Sequence, residues 1–145
     1  LMKRILPVIT LMVLMMSTTG CTTTQNLNTG LQRKWMLISM KEFSKNELMH
    51  AQATVDLTSK DGKVSGYTAF MGCNNLSFRL NEKSGNKVSV SRVSGTKMFC
   101  PNHLDLENQF ISLFPTMNSY SVEGHFLTLT NNNGDRMKFV AADWD

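Results

Sequence analysis

Residues 120–140 read YSVEGHFLTLTNNNGDRMKFV. Three runs of β-favouring residues, Tyr120–Glu123, Phe126–Thr130 and Arg136–Val140, are separated by Gly124-His125 and by Asn131-Asn132-Asn133-Gly134-Asp135. Gly, Asn and Asp tolerate the positive φ that tight reversals need, so both breaks are turns and the runs form an antiparallel meander. Leu127 and Leu129 alternate with Thr128 and Thr130, the period of two that buries one face of a strand.

The same grammar extends upstream. Lys34–Met40 is a first strand with Trp35 as a core anchor, and Ala53, Val55 and Leu57 alternate with Thr54, Asp56 and Thr58. Ser59-Lys60-Asp61-Gly62 turns the chain, since Asp-Gly suits a hairpin. Lys63–Phe70 returns, with Gly66 at a bulge position. Leu76, Phe78 and Leu80 alternate again, Ser84-Gly85-Asn86 turns, and Val88, Val90 and Val93 come back. Lys41–His50 leaves two readings open, one helical turn through Phe43, Glu47 and Leu48 or an irregular excursion. One strong helix follows Pro101, with Asn102 as its cap and Asp105 and Glu107 in its first turns, where negative charge suits the positive helix end. Leu106, Phe110, Leu113, Phe114 and Met117 form its apolar face, and Pro115 ends or kinks it near Phe114. The expected class is α+β: about seven short, mainly antiparallel strands in a compact twisted sheet or small open barrel, with one helix packed on it.

The amino-terminal residues read as an address. Lys3 and Arg4 precede the 12-residue apolar run Ile5–Met16, and Ser17-Thr18-Thr19-Gly20 leads into Cys21. Positive start, short apolar run and small residues describe a secretory signal peptide over residues 1–20. The run is too short to span a bilayer stably, which takes about 20 apolar residues. Thr19-Gly20-Cys21 resembles a bacterial lipobox, with Thr18 where Leu, Val or Ile is usual. Cleavage there would leave Cys21 as an acylated first residue, and two or three acyl chains anchor stably. An ordinary signal peptide with Cys21 as a passenger is the other reading. Thr22, rather than Asp, resembles an outer-membrane sorting signal. The expected organisation is a signal peptide at 1–20, a lipidated tether at 21–33 and one domain at 34–142.

Removing residues 1–20 leaves 125 residues and takes away Lys3 and Arg4, so the net charge falls from +4 to +2. That small charge, with Lys and Arg scattered, excludes a nucleic-acid reading. No Gly-x-Ser-x-Gly elbow and no phosphate-cradling glycine loop occurs. Asp61, Glu82, Asp105 and Glu107 are accounted for by turn chemistry and helix-end electrostatics, so no catalytic carboxylate pair is expected. Cys100-Pro101-Asn102-His103 invites a metal reading, but zinc needs more ligands than His103 and Glu107 supply, and an exposed first-turn His is favoured. No enzyme activity, metal or cofactor is expected. The methionines outside the signal, such as Met36, Met98 and Met137, sit singly and read as core fillers.

With Cys21 lipidated, Cys73 and Cys100 remain. An oxidising compartment favours pairing them, and a closed loop of about 27 residues would add roughly 3.5 kcal/mol in the chain-entropy treatment. Two buried free thiols and a redox or metal pair stay open. Tyr67, Phe70 and Phe99 flank the two cysteines, with Lys97 between them. Aromatics and a cation on a stapled loop make a candidate recognition surface; the same side chains would equally serve as core.

The order Trp35-x-Leu37, Gly72-Cys73-Asn74, Thr96-Lys97-Met98-Phe99-Cys100, Glu107-x-x-Phe110, Tyr120-x-Val122-x-Gly124, Leu127-x-Leu129 and Gly134-Asp135-Arg136-Met137-Lys138-Phe139 resembles the META domain of the HslJ-like bacterial lipoprotein family, over about residues 34–140. Lys97 stands where Arg is commoner. The resemblance implies a small, largely antiparallel fold with one helix, in envelope proteins linked to heat stress and drug tolerance. It implies no chemistry and so no catalytic residue. The expected protein is a lipid-anchored envelope module for binding or stress protection. It would be monomeric, face the periplasm from the outer membrane, and take an envelope protein or small molecule as partner. A periplasmic or surface inhibitor, such as a lysozyme inhibitor, is the rival.

Overall fold

A computed structural model describes residues 27–58 and 66–144. The signal peptide, the lipidation at Cys21 and the turn at 59–62 lie outside the described residues. Among those described are ten strands: β1 Lys34–Met40, β2 Thr54–Asp56, β3 Tyr67–Phe70, β4 Asn75–Phe78, β5 Leu80–Lys83, β6 Lys87–Val90, β7 Ser94–Gly95, β8 Ser119–Glu123, β9 Phe126–Thr130 and β10 Arg136–Ala141. They make one antiparallel sheet in the order β5-β6-β8-β9-β10-β1-β2-β3-β4-β7. The meander read from residues 120–140 is its centre, with Tyr120 opposite Leu129 and Leu127 opposite Phe139.

The eight runs read from the sequence become ten strands because the run ending at Leu80 divides at Arg79 and Ser94–Gly95 adds a two-residue edge. The division also shapes the sheet. β4 and β5 follow one another directly, yet β5 is one edge and β4 is next to the other. A strand that belongs to both sides forces the sheet to curl, giving a half-barrel. Ser91 fastens the bend, its Oγ accepting from Arg79 N at 2.8 Å and its N donating to Arg79 O at 2.9 Å.

Among the described residues two α-helices complete the fold. α1, Lys45–His50, settles the ambiguous segment, because Ser44 and Glu47 cap each other reciprocally and Leu48 is fully buried. α2, Leu104–Leu113, starts after His103 and gives way to a 3-10 turn at Phe114–Thr116, as Pro115 dictates. Asn102 is not its cap, since a turn closed by His103 N on Cys100 O delays the helix. Phe110 stacks on Phe114 at 4.6 Å and Phe114 meets Phe78 edge-on at 4.8 Å, so the helix fills the hollow of the sheet.

The segment expected to be tether is part of the domain from Leu27 onward. Leu27 and Leu31 are 5% and 1% exposed, and Leu31 O accepts from Trp35 Nε1 at 3.0 Å. Two leucines in a polar stretch carry too little local pattern to reveal this; their burial is tertiary. Asn28 N donates to Glu82 Oε2 at 2.6 Å, and the hydroxyl of Tyr120 donates to the other oxygen of the same carboxylate. Glu82 is therefore a structural acceptor rather than a turn residue.

Burial, then that hydrogen bond and the Glu82 charge, push the Tyr120 phenol up to about 12. A folded-state value above the unfolded one, about 10, favours the protonated phenol in the fold. Its stabilisation is full below about pH 10 and is lost as pH rises through about 12. Urea unfolding should therefore show stability falling more steeply from pH 10 to 12 in the wild type than in Tyr120→Phe. Equal slopes would contradict the pairing with Glu82.

Candidate functional site

The connection from β3 to β4 is Met71-Gly72-Cys73-Asn74, and each of its last three residues has a distinct task. Gly72 has φ of +96°, and a Cβ there would lie 2.8 Å from the His103 ring, so only glycine lets the connection pass under that side chain. Cys73 is joined to Cys100 with Cα atoms 5.7 Å apart, inside the range such bridges require.

Asn74, 3% exposed, is a hub. Its Oδ1 accepts from Met98 N at 2.7 Å and from the Thr96 hydroxyl at 2.8 Å. Its Nδ2 donates to Glu107 Oε1 at 2.6 Å and to Met98 O at 3.2 Å, and its backbone N donates to Glu107 Oε2 at 2.7 Å. Glu107, 4% exposed, thus spends both oxygens on one residue. Burying a carboxyl group is costly unless it is hydrogen-bonded, and here the two donors are fixed. The sequence expectation for Glu107, helix-end electrostatics, is corrected: it faces inward one turn before Phe110. A carboxylate on the apolar face of α2 was the signal that marks it.

These bonds brace the segment after β7. Gly95 lies against β4 so closely that a Cβ would sit 2.6 Å from Asn75 O. Thr96, Met98 and Cys100 are then held by Asn74 and the disulfide, while the residues between them turn outward. Lys97 is exposed, Phe99 is 78% exposed and the Met98 side chain is 57% exposed. The result is a rigid loop that displays an apolar pair and a cation.

The four residues expected to form a recognition surface are divided. Lys97 and Phe99 share this loop. Tyr67 is in the core, its ring 6.1 Å from that of Phe78. Phe70 lies half-buried on the outward side of β3, where it lines a hollow with Met36 and Met49. Residues three apart on a strand point to opposite faces, which separates Tyr67 from Phe70. His103 covers Gly72 while Glu107 turns to Asn74, so the two do not converge; among the described residues no group of three or more His, Cys, Asp or Glu could hold a metal.

Register fixes where the loop sits. Lys34 pairs with Asp56 and Asp56 with Thr68, so β1 begins at the end of the sheet where β3 begins. The β3–β4 connection and the braced loop lie at the other end of β3. Met36, Thr54, Phe70 and Asn75 stand in one row, so the loop leaves β4 only two residues along the ladder from the row where β1 begins, three strands across the sheet.

The family model described as META domain matches residues 25–144, the whole described structure. Among solved structures, the NMR structure of a protein from Burkholderia xenovorans has a TM-score of 0.63 at 23% identity, covering 82% of this chain and 86% of that one. A second NMR structure has a TM-score of 0.53 at 14% identity, covering 81% and 98%. At such identities the likeness is one of fold. No curated protein matches the chain.

Proposed function

This chain belongs to the META domain family, and on that premise we propose that it is a bacterial envelope protein: a non-enzymatic binding module for stress protection, held to the membrane by acylation of Cys21. The signal-like residues 1–20, with Thr19-Gly20-Cys21 at their end, support the anchor, and Thr22 supports the outer membrane as its place. The observation that carries the binding role is the braced loop. A disulfide, Asn74 and Glu107 together hold a segment whose one aromatic side chain is 78% exposed. Aromatic anchors dominate protein interfaces, and a segment ordered before binding avoids paying that entropy on association.

A strain lacking the protein, complemented with variants and challenged by heat and by envelope-active antibiotics, tests this. Wild type should restore survival. Met98→Ala with Phe99→Ala should fail to restore it although its unfolding free energy stays within about 1 kcal/mol, as for surface substitutions generally. Full rescue by that variant would remove the loop from the function. Cys21→Ser should leave the membrane pellet and lose protection.

A further inference from the structure

The outward side of the sheet carries a second surface. Met36 and Ile38 of β1, Phe126 of β9 and Val140 of β10 line a groove of about 150 Å3 with Met49 and Trp144. Strand positions that face water are expected to be polar, and these four are apolar. Trp144 and Met49 are 52% and 44% exposed. Trp144 is held in place, since its indole stacks on His125 at 4.6 Å and meets Phe126 edge-on at 5.8 Å.

The rim is cationic. Lys45 lines the groove, Lys138 Nζ stands 4.8 Å above the Phe126 ring, and Lys34 borders the adjoining hollow. Asp56 lies across from Lys34 and Glu123 across from Phe126, so positive charge concentrates at Lys45 and Lys138. Asp143, next to Trp144, is occupied by Arg33 at 2.6 Å. The groove is small for a drug-sized ligand, which fills roughly 300 Å3 or more. Tryptophan and lysines around an apolar floor are the composition of surfaces that lie in a lipid headgroup layer.

Chain geometry points the same way. The Arg33–Asp143 pair puts the lead-in segment at the end of the sheet that carries Trp144. Leu27 is six residues from Cys21, a reach of no more than roughly 20 Å. We propose that this face docks on the anionic surface of a phospholipid bilayer, with Trp144 at headgroup level and Lys45 and Lys138 against lipid phosphates. The proposal rests on the anchor at Cys21 and adds an orientation to it: the outward face of β1, β9 and β10 lies on the membrane.

The chain holds two tryptophans, and Trp35 is fully buried, so quenching by a headgroup-level nitroxide lipid reads Trp144. The acylated full-length protein is reconstituted into phosphatidylethanolamine vesicles with and without phosphatidylglycerol. The expected result is loss of the Trp144 emission in the anionic vesicles. That loss should vanish in Trp144→Phe and shrink in Lys45→Glu with Lys138→Glu. Acylated protein that sediments with vesicles while Trp144 stays unquenched overturns the docking face and leaves the anchor standing. Quenching that ignores both the lysines and the phosphatidylglycerol overturns it too, as does a dimer in solution that shields Trp144. A chain recovered without acyl groups refutes the anchor instead. The same quenching on that unacylated chain then decides the face: loss of emission with anionic vesicles supports it, and none overturns it.

Discussion

Replacing Cys73 and Cys100 together by Ser is expected to lower the free energy of unfolding by about 3.5 kcal/mol. The bridge closes 27 residues of chain, and tying the ends of such a loop restricts the unfolded ensemble by about that amount. Against a typical total of roughly 5–15 kcal/mol the loss is large, and the melting temperature should drop by more than about 10 °C. The effect should also be local. Met98 N is held by Asn74, the neighbour of Cys73, so its amide should lose hydrogen-exchange protection ahead of the amides of β9 and β10. A drop below about 1 kcal/mol, or uniform loss of protection, would show that the bridge does not brace the loop.

Glu107→Ala should cost a similar amount by another route. Truncation leaves Asn74 N and Nδ2 without their carboxylate acceptor in a buried site, and each buried donor left unpaired costs about 1–3 kcal/mol. A total of about 3–4 kcal/mol is expected in urea unfolding. Glu107→Gln keeps one acceptor oxygen but turns an amide NH2 toward a donor, so it should fall between. Because Glu107, Asn74 and Cys73 share contacts, Glu107→Ala and the double Ser variant should combine non-additively. Strict additivity, or a cost for Glu107→Ala under about 1 kcal/mol, would dissolve the hub.

What was legible follows from how locally each feature is written. The meander around Leu127 and Leu129 is spelled out by its own turn residues, and the face of α2 by the spacing of Phe110, Leu113 and Phe114. The break at Arg79 has no such mark. Arg fits strand or bend alike, and the bend is fastened by Ser91, twelve residues away. The site was half legible. Cys73 and Cys100 announce themselves; Lys97 and Phe99 stand beside them in the sequence, but only the folded loop decides between surface and core for them. Asn74 carries no such mark and Glu107 only its place on the apolar face of α2; their pairing, 33 residues apart, has meaning only once α2 lies under the β3–β4 connection. Tyr67 and Phe70 could have been separated from sequence alone, since a period of two cannot put both on one face.

The protein proposed above is held to a membrane by Cys21 and stapled by its other two cysteines. An intact mass of the protein extracted from membranes, alkylated with and without prior reduction, tests both halves at once. The predicted result is a chain that begins at acylated Cys21 and takes up two alkyl groups only after reduction. A mass that retains residues 1–20, or alkylation of Cys73 and Cys100 without reduction, would contradict it.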